Sequence, residues 1–439
     1  MTVTVPVRGL TPWTFLRGAA GSARGFWARD ERWIAHAGVA FDLQAEGADR
    51  FRRIRASIEA LPHPSEDVRV RVYGGFAFRD DHAAGGAWSG FPSARFHLPE
   101  VEVTGDASGR GRLRLQRLAD PTEVEATERE LRAASEDLRE RLERRPPEVA
   151  VPPAVSARAD ASGRRAWGDA IEAILAAIRG GRVRKAVLAR TLDVHLGGRI
   201  DPVDLAETLW RRNPGTHLFL FEPSPGRALV GAAPEALATV RAGIFHATAV
   251  AGSVGVGESD DERARMGESL LSSAKDRAEH RMVVDDMVAR LGPVATGIRA
   301  ADEPELLPLA RIQHLETAIR ARVAPERHVL DLVAALHPTP AVCGVPRDEA
   351  LALLHDEEPF ERGWYAGPVG WCSVDGDGHF VPALRTAVGD GREWRLFAGA
   401  GIVEGSTAQG EWDETGIKFQ PVLRALEARG VDPITPGTP

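Results

Sequence analysis

Residues 364–403 read WYAGPVGWCSVDGDGHFVPALRTAVGDGREWRLFAGAGIV. Three strand-like runs, 364–373, 379–387 and 394–403, follow one another with only short Asp- and Gly-rich turns between them. Apolar and aromatic runs punctuated by Asp–Gly and Gly–Asp are strands joined by tight turns. Strands linked this closely pair antiparallel, because a parallel neighbour needs a crossover of about a dozen residues. Outward from this stretch, helices alternate with groups of strands. Trp167, Ile171, Ile174, Leu175 and Ile178 recur at helical spacing, and Gly180–Gly181 ends that helix. Strands are expected at 183–189, 218–221 and 228–232, and one long helical region at 260–290. Antiparallel strand groups separated by helices make the class α+β.

Further upstream the pattern is weaker. Short strand-like runs occupy 68–78 (VRVRVYGGFAF), 100–104 and 112–118, with a helix at 48–61. Gly74 and Gly75 interrupt the first run, which marks a bulge or a close backbone approach. Residues 122–145 are dense in Glu and Arg, with only Leu131, Leu138 and Leu142 as an apolar stripe, so a largely solvated helix is expected. A Pro-rich stretch, 146–153, breaks it. The chain thus divides into an N-terminal part, 1–155, and a sharper-patterned region, 160–430.

With 439 residues, a prior of ~150 per domain gives about three domains. Hydrophobic residues at 43% and charged residues at 27% are enough for a full core and rule out disorder over most of the length. Lys and Arg number 55 against 63 Asp and Glu, a net charge of −8. That balance gives no reason to expect nucleic acid or an anionic membrane as partner. A small acidic substrate would need local cations, since the global field opposes it. The two cysteines, Cys343 and Cys372, make no disulfide framework or zinc cluster and read as small buried hydrophobes. The N-terminal MTVTVPVRGLTPWTF lacks a basic region followed by an apolar run, and no stretch approaches ~18 apolar residues. A cytoplasmic protein is expected.

Several residues have the chemistry of a site. Lys185 shares a strand face with Val183, Val187 and Ala189. A lysine in such a row either snorkels at an edge or is desolvated, and desolvation makes it a usable base. Glu235, in GAAPEAL just past a strand, either faces a helix dipole or points into a cleft where burial lets it deliver a proton. Asp276 and Glu279, and likewise Glu411 and Glu414, lie three apart and share helix faces. Each pair is either a solvated face or a set of hard oxygen ligands for Mg²⁺. Glycines in FAGAGIVEG (397–405) and AVAGS (249–253) let backbone N–H groups approach an anion, and Arg385 and Lys418 are candidate carboxylate clamps.

Taken in order, these stretches resemble the chorismate-utilising enzymes: KAVLAR (185–190), GAAPEAL (231–237), AGS (251–253), LLSSAKDRAEH (270–280), HPTPAVCG (337–344), ERGWYAGPVGW (361–371), ALRTA (383–387), RLFAGAGIV (395–403) and GEWDETGIK (410–418). YGGFAF (73–78) resembles the family's N-terminal strand. The resemblance implies a single large α+β domain of antiparallel sheets flanked by helices, in place of three domains. It implies that Lys185 is the general base, Glu235 the general acid, and Glu279 and Glu414 the Mg²⁺ ligands. Glu411, and with it Asp276, would act on the metal through water. Arg385, Lys418, His314, Ser253, Ala341 and the backbone at Gly252 and Gly399 would meet the substrate. Aminodeoxychorismate synthases place a lysine where Ala251 stands, whereas water-using members carry one where Lys185 stands, so ammonia and a glutaminase subunit are not expected. The isochorismate synthase branch is the nearest, with salicylate synthase, which goes on to eliminate pyruvate, as the alternative. Val342 stands where many isochorismate synthases have leucine. A catalytically dead binding homologue would have lost Lys185, Glu235 or a metal glutamate, and none is lost.

Overall fold

The computed structural model describes residues 1–61, 70–117, 122–144, 155–160 and 163–427. The Pro-rich stretch 146–153, residues 68–69 and residue 118 lie outside the described residues. Two sheets, antiparallel throughout, organise the rest. The larger has twelve strands. Its order is Thr2–Arg8, Arg110–Gln116, Val101–Gly105, Arg32–Ala37, Arg24–Arg29, His217–Ser224, Arg227–Ala233, Thr386–Gly389, Glu393–Ile402, Lys185–Leu196 and Gly344–Val345, with Val155–Asp160 also on Lys185–Leu196. The smaller has ten. It runs Thr296–Ala300, Ile312–Arg322, Ile244–Gly255, Ala238–Arg241, Gly378–Pro382, Pro368–Ser373, Arg71–Phe76, Ala94–Leu98 and Phe41–Ala45, with Glu305–Pro308 also on Ile312–Arg322.

Side-chain alternation sorts the core into layers. In Arg24–Arg29, Phe26 and Ala28 join a cluster with Trp13, Leu205 and Phe419, from helices packed on the large sheet. Trp27, between them, faces the other way, into a cluster with Phe219, Val369, Val381 and Trp364 that lies between the two sheets. On the small sheet, Phe380 and Cys372 face outward against Ile54, Met287 and Leu332 of three helices. Each fully buried aromatic such as Phe26 or Phe380 contributes roughly 1.5–3 kcal/mol. Gly74 accounts for the interruption in its strand: a Cβ there would sit 1.9 Å from the Arg95 carbonyl oxygen, so only glycine lets the two strands close. Cys343 and Cys372 are buried free thiols, and the helix Val124–Arg144 turns Leu131 inward.

Two expected elements come out differently. The helical region 260–290 is two helices, Asp260–Ser272 and Ala274–Leu291. Ser273 is extended and accepts the Asp276 N–H, so it caps the second helix and ends the first. The run 379–387 is likewise two strands. Gly378–Pro382 belongs to the small sheet and Thr386–Gly389 to the large one. The chain crosses between sheets at Leu384 and Arg385, where Arg385 takes a φ of 52°. That crossing delivers the Arg385 side chain to the cavity described next.

Among the described residues, no helix is long and apolar enough to cross a membrane.

Candidate active site

Where the two sheets and two helices meet, they enclose a cavity of about 110 Å³. All thirteen residues singled out from sequence line it: Lys185, Glu235, Gly252, Ser253, Asp276, Glu279, His314, Ala341, Arg385, Gly399, Glu411, Glu414 and Lys418.

Lys185 opens the strand Lys185–Leu196 and is 1% exposed, so it is desolvated and does not snorkel. Its Nζ lies 2.8 Å from Glu279 Oε1. The partner strand makes room for this pair. A Cβ on Gly401 would stand 2.6 Å from Glu279 Oε1 and 3.0 Å from Lys185 Cε. Asp276 and Glu279 reach the cavity from the first turns of the helix that Ser273 caps. Glu411, Glu414 and Lys418 line it from one face of the helix Ala408–Glu427. Lys418 Nζ sits 2.5 Å from Glu414 Oε1 and donates to the Gly399 carbonyl at 2.9 Å.

Glu235 follows the strand Arg227–Ala233 in a turn fixed by two backbone bonds: Ala236 N–H to Thr248 Oγ1, and Leu237 N–H to the Phe380 carbonyl. Burial pushes its carboxyl up to about 8, against the pull of the Lys185 and Arg385 charges. The group therefore holds a proton at neutral pH while facing the cavity. Burial, reinforced by the Glu414 charge, also pushes Glu411 up to about 7.

On the opposite strand pair, a bulge between Ala251 and Ser253 puts Gly252 at φ 75°, in the left-handed region that favours glycine. His314 Nδ1 lies 3.2 Å from the Gly252 carbonyl and 2.9 Å from Ser253 Oγ, and Arg385 Nη2 lies 3.1 Å from His314 Nε2. Arginine only donates and a carbonyl only accepts, so Nε2 carries the lone pair and Nδ1 the proton. Burial, with the Arg385 and Lys418 charges, holds the imidazole neutral. Burial lowers Arg385 to about 10, still charged at neutral pH.

Sequence reasoning assigned no role to Tyr365, Lys275 and Gly401, which also line the cavity. Tyr365 stacks on Phe397 at 5.0 Å, and burial pushes its hydroxyl up to about 12. The signal for Gly401 was present, since residues 399 and 401 share a strand face. The wall at Ala341 and Val342 is tied to the base-bearing strand by a buried ion pair that no motif announced. Arg362 donates to the Val342 carbonyl at 2.8 Å and to the Val187 carbonyl at 2.5 Å. It pairs with Glu358, whose Oε1 accepts the Ala189 N–H at 2.8 Å. Between the short strand at Gly344–Val345 and Val155–Asp160, these two side chains take the place of a neighbouring strand.

The donor set suits a hard dication. Glu279 and Glu414, on separate helices, each hold one ammonium, the charge that a shared divalent ion would supply. Among the described residues no three His, Cys, Asp or Glu side chains form a cage by themselves. Mg²⁺ needs no such cage, because it keeps several waters and takes one or two carboxylates.

Comparison with known proteins gives a consistent result. The family model described as "Chorismate binding enzyme" matches residues 1–427. The chain is 37% identical over 416 residues to the salicylate biosynthesis isochorismate synthase of Pseudomonas aeruginosa, covering 92% of this chain and 85% of that protein. It is 29% identical over 438 residues to the isochorismate synthase MenF of Bacillus subtilis, covering 96% and 92%. The solved structure of the menaquinone-specific isochorismate synthase MenF of Escherichia coli superposes with a TM-score of 0.82 at 25% identity, over 98% of this chain and 94% of that one. The structure of anthranilate synthase component I from Streptococcus pneumoniae, at 24% identity and a TM-score of 0.75, shares the fold. By its sequence and its architecture, the chain belongs to the chorismate-binding enzyme family.

Proposed function

We propose that this protein is an isochorismate synthase, which adds water at C2 of chorismate and expels the C4 hydroxyl. The observation that carries this reading is a buried lysine and a proton-holding buried carboxyl group on one cavity that also bears Arg385 and Lys418. Moving a hydroxyl between ring carbons takes a base for the incoming water and an acid for the departing hydroxyl. Lys185, as the free amine once a metal ion takes Glu279 from it, is the base, and Glu235 is the acid. Arg385, Lys418 and the backbone at Gly252 and Gly399 hold the two substrate carboxylates. His314, neutral and donating to the Gly252 carbonyl, fixes the turn on which that backbone lies. Glu279 and Glu414 would hold Mg²⁺, with Glu411 and Asp276 acting through water. The ion would neutralise and orient the ring carboxylate. Water, not ammonia, is the nucleophile, so no glutaminase subunit is required. Two free buried thiols suit a reducing, cytoplasmic compartment.

The test is to incubate the protein with chorismate and Mg²⁺, separate the products, and follow pyruvate with lactate dehydrogenase and no added lyase. Isochorismate as the main product, with little pyruvate, is expected, because the wall segment offers the apolar Ala341 and Val342 to a rearranging enolpyruvyl group. Near-stoichiometric pyruvate would make it a salicylate synthase.

Excess EDTA should abolish turnover and added Mg²⁺ restore it; full activity in chelator would remove the metal from the reading. Arg385→Ala should raise KM strongly with a smaller change in kcat, since the clamp acts throughout the reaction. Steady-state kinetics on the folded variant separates the two, and an unchanged KM would free Arg385 from substrate binding.

A further inference from the structure

A second cavity, of about 950 Å³, lies between the helices Arg50–Glu59, Val329–Leu336 and Arg347–Glu357. Most of its charges are matched within the protein: Arg52 by Asp49, Arg55 by Glu59 and Asp331, and Arg79 by Asp81. Among the described residues, Arg50 and Arg347 have no such match. Arg50 is 5% exposed. Its Nη1 and Nη2 reach only the Gly47 and Ala77 carbonyls, at 3.5 and 3.3 Å, and its Nε has no partner. Arg347 gives Nη2 to the Ala335 and Leu336 carbonyls at 3.0 and 2.8 Å, and its Nε is also unpartnered. Asp80, also in the lining, stands near enough for its charge, with that of Asp81, to act on Arg50 without pairing with it. His337 lies among these groups, with its Nε2 3.0 Å from the Phe78 carbonyl, and adds no charge.

Beyond its two carbonyls Arg50 has only the face of Phe51, 4.8 Å from its guanidinium carbon. Burying a guanidinium without a full set of acceptors is costly, and an anion offsets the cost. Burial lowers both arginines to about 10, at Arg50 against the pull of the Asp80 and Asp81 charges and at Arg347 reinforced by the Arg290 charge and opposed by Asp286. Phe51, Phe78, Leu330 and Leu351 supply an apolar wall beside them. Guanidinium groups take carboxylate or phosphate, and the apolar wall favours the carboxylate of an organic acid.

From this arrangement we infer that the second cavity binds a small carboxylic acid, with its carboxylate on Arg50, Arg347 as the further cation, and its apolar body against Phe51 and Phe78. The position makes it an effector site. His337 and Arg347 bracket the segment that carries Ala341 and Val342 of the first cavity and the strand Gly344–Val345, which pairs with Lys185 and Ala186. An acid held between Arg50 and Arg347 ties a helix from the N-terminal part to that segment. The binding itself does not rest on which reaction the first cavity catalyses.

Calorimetric titration with benzoate, and separately with inorganic phosphate, tests the site on the full chain. Benzoate should bind the wild type and Arg385→Ala alike, phosphate more weakly. Arg50→Met should bind benzoate about 10- to 100-fold more weakly, as expected for loss of a charged hydrogen-bonding partner. If that variant does not fold, Arg347→Gln, whose side chain is partly exposed, tests the same point with a similar direction. Benzoate should also change kcat for chorismate without acting as a pure competitor. No benzoate binding, binding lost in Arg385→Ala, or binding unchanged in the variants of the second cavity would overturn the site. Phosphate binding tighter than benzoate would overturn the ligand class, and purely competitive inhibition the effector role.

Discussion

Lys185→Ala is expected to lower kcat by ~10²–10⁴-fold, the range for loss of a general base. No other described lysine is placed on this strand face: Lys275 lines the cavity from the helix Ala274–Leu291, and the two other cations have work of their own. Lys418 is on Glu414 and Gly399, and Arg385 is on His314. Alanine suits the position sterically, because the strand keeps its pairing to Val345 through the backbone. The substitution leaves Glu279 without its ammonium, so some stability is lost with the charge pair. A thermal melt separates that loss from the chemical one. A folded variant with near wild-type kcat would sink the assignment of Lys185 as base.

Glu235→Gln is expected to cost a similar factor, because an amide fills the same space and cannot give up a proton to the leaving hydroxyl. The pH profile carries an independent signature. The acid must be protonated, and burial pushes Glu235 up to about 8, so wild-type kcat should fall as pH rises through about 8. The same shift bears on stability. A carboxyl raised from 4.5 to about 8 in the folded state contributes stability that is present below 4.5 and lost as pH rises to about 8. Denaturant titrations across that window should show wild type losing stability relative to Glu235→Gln. An alkaline limb that stays in place in a variant with residual activity would assign it to another group.

Local pattern recovered strands and helices wherever their signal is local, and failed where a distant partner decides. The Ile171–Ile174–Ile178 stripe and the Gly180 stop mark the helix Arg164–Arg179 without help from the rest of the chain. The run 379–387 is apolar over most of its length and buried on both faces, so it reads as one strand. Nothing in that pattern records that its two halves hydrogen-bond to different sheets, Phe380 to Ala238 and Thr386 to Gly231. At Ser273 the cap was readable in Ser-Ala-Lys-Asp, but the flanking helical patterns masked it. For the site, residue type and spacing picked out Lys185, Glu235 and the two carboxylate pairs only as one reading among duller ones. What separates the readings is burial and company, such as the 2.8 Å contact between Lys185 and Glu279, 94 positions apart. His314 has no local signature, and it was legible only through the resemblance. Arg362 and Glu358 were missed because their partners are backbone atoms of remote strands.

The interleaving of the sheets has a consequence for how the polypeptide comes to be folded. Arg24–Arg29 has its neighbour at His217–Ser224, and Arg71–Phe76 has its neighbour at Pro368–Ser373. Strands made early in synthesis therefore wait for partners that leave the ribosome about two hundred to three hundred residues later. At ~5–20 residues per second that is a delay of some tens of seconds. Over that interval one hydrogen-bonding edge of each, the other being taken by Arg32–Ala37 or Ala94–Leu98, is unpaired and open to pairing between molecules. The topology makes nascent chains of this protein clients for chaperones that shield extended apolar segments, and it makes C-terminal truncations aggregate rather than fold into smaller units.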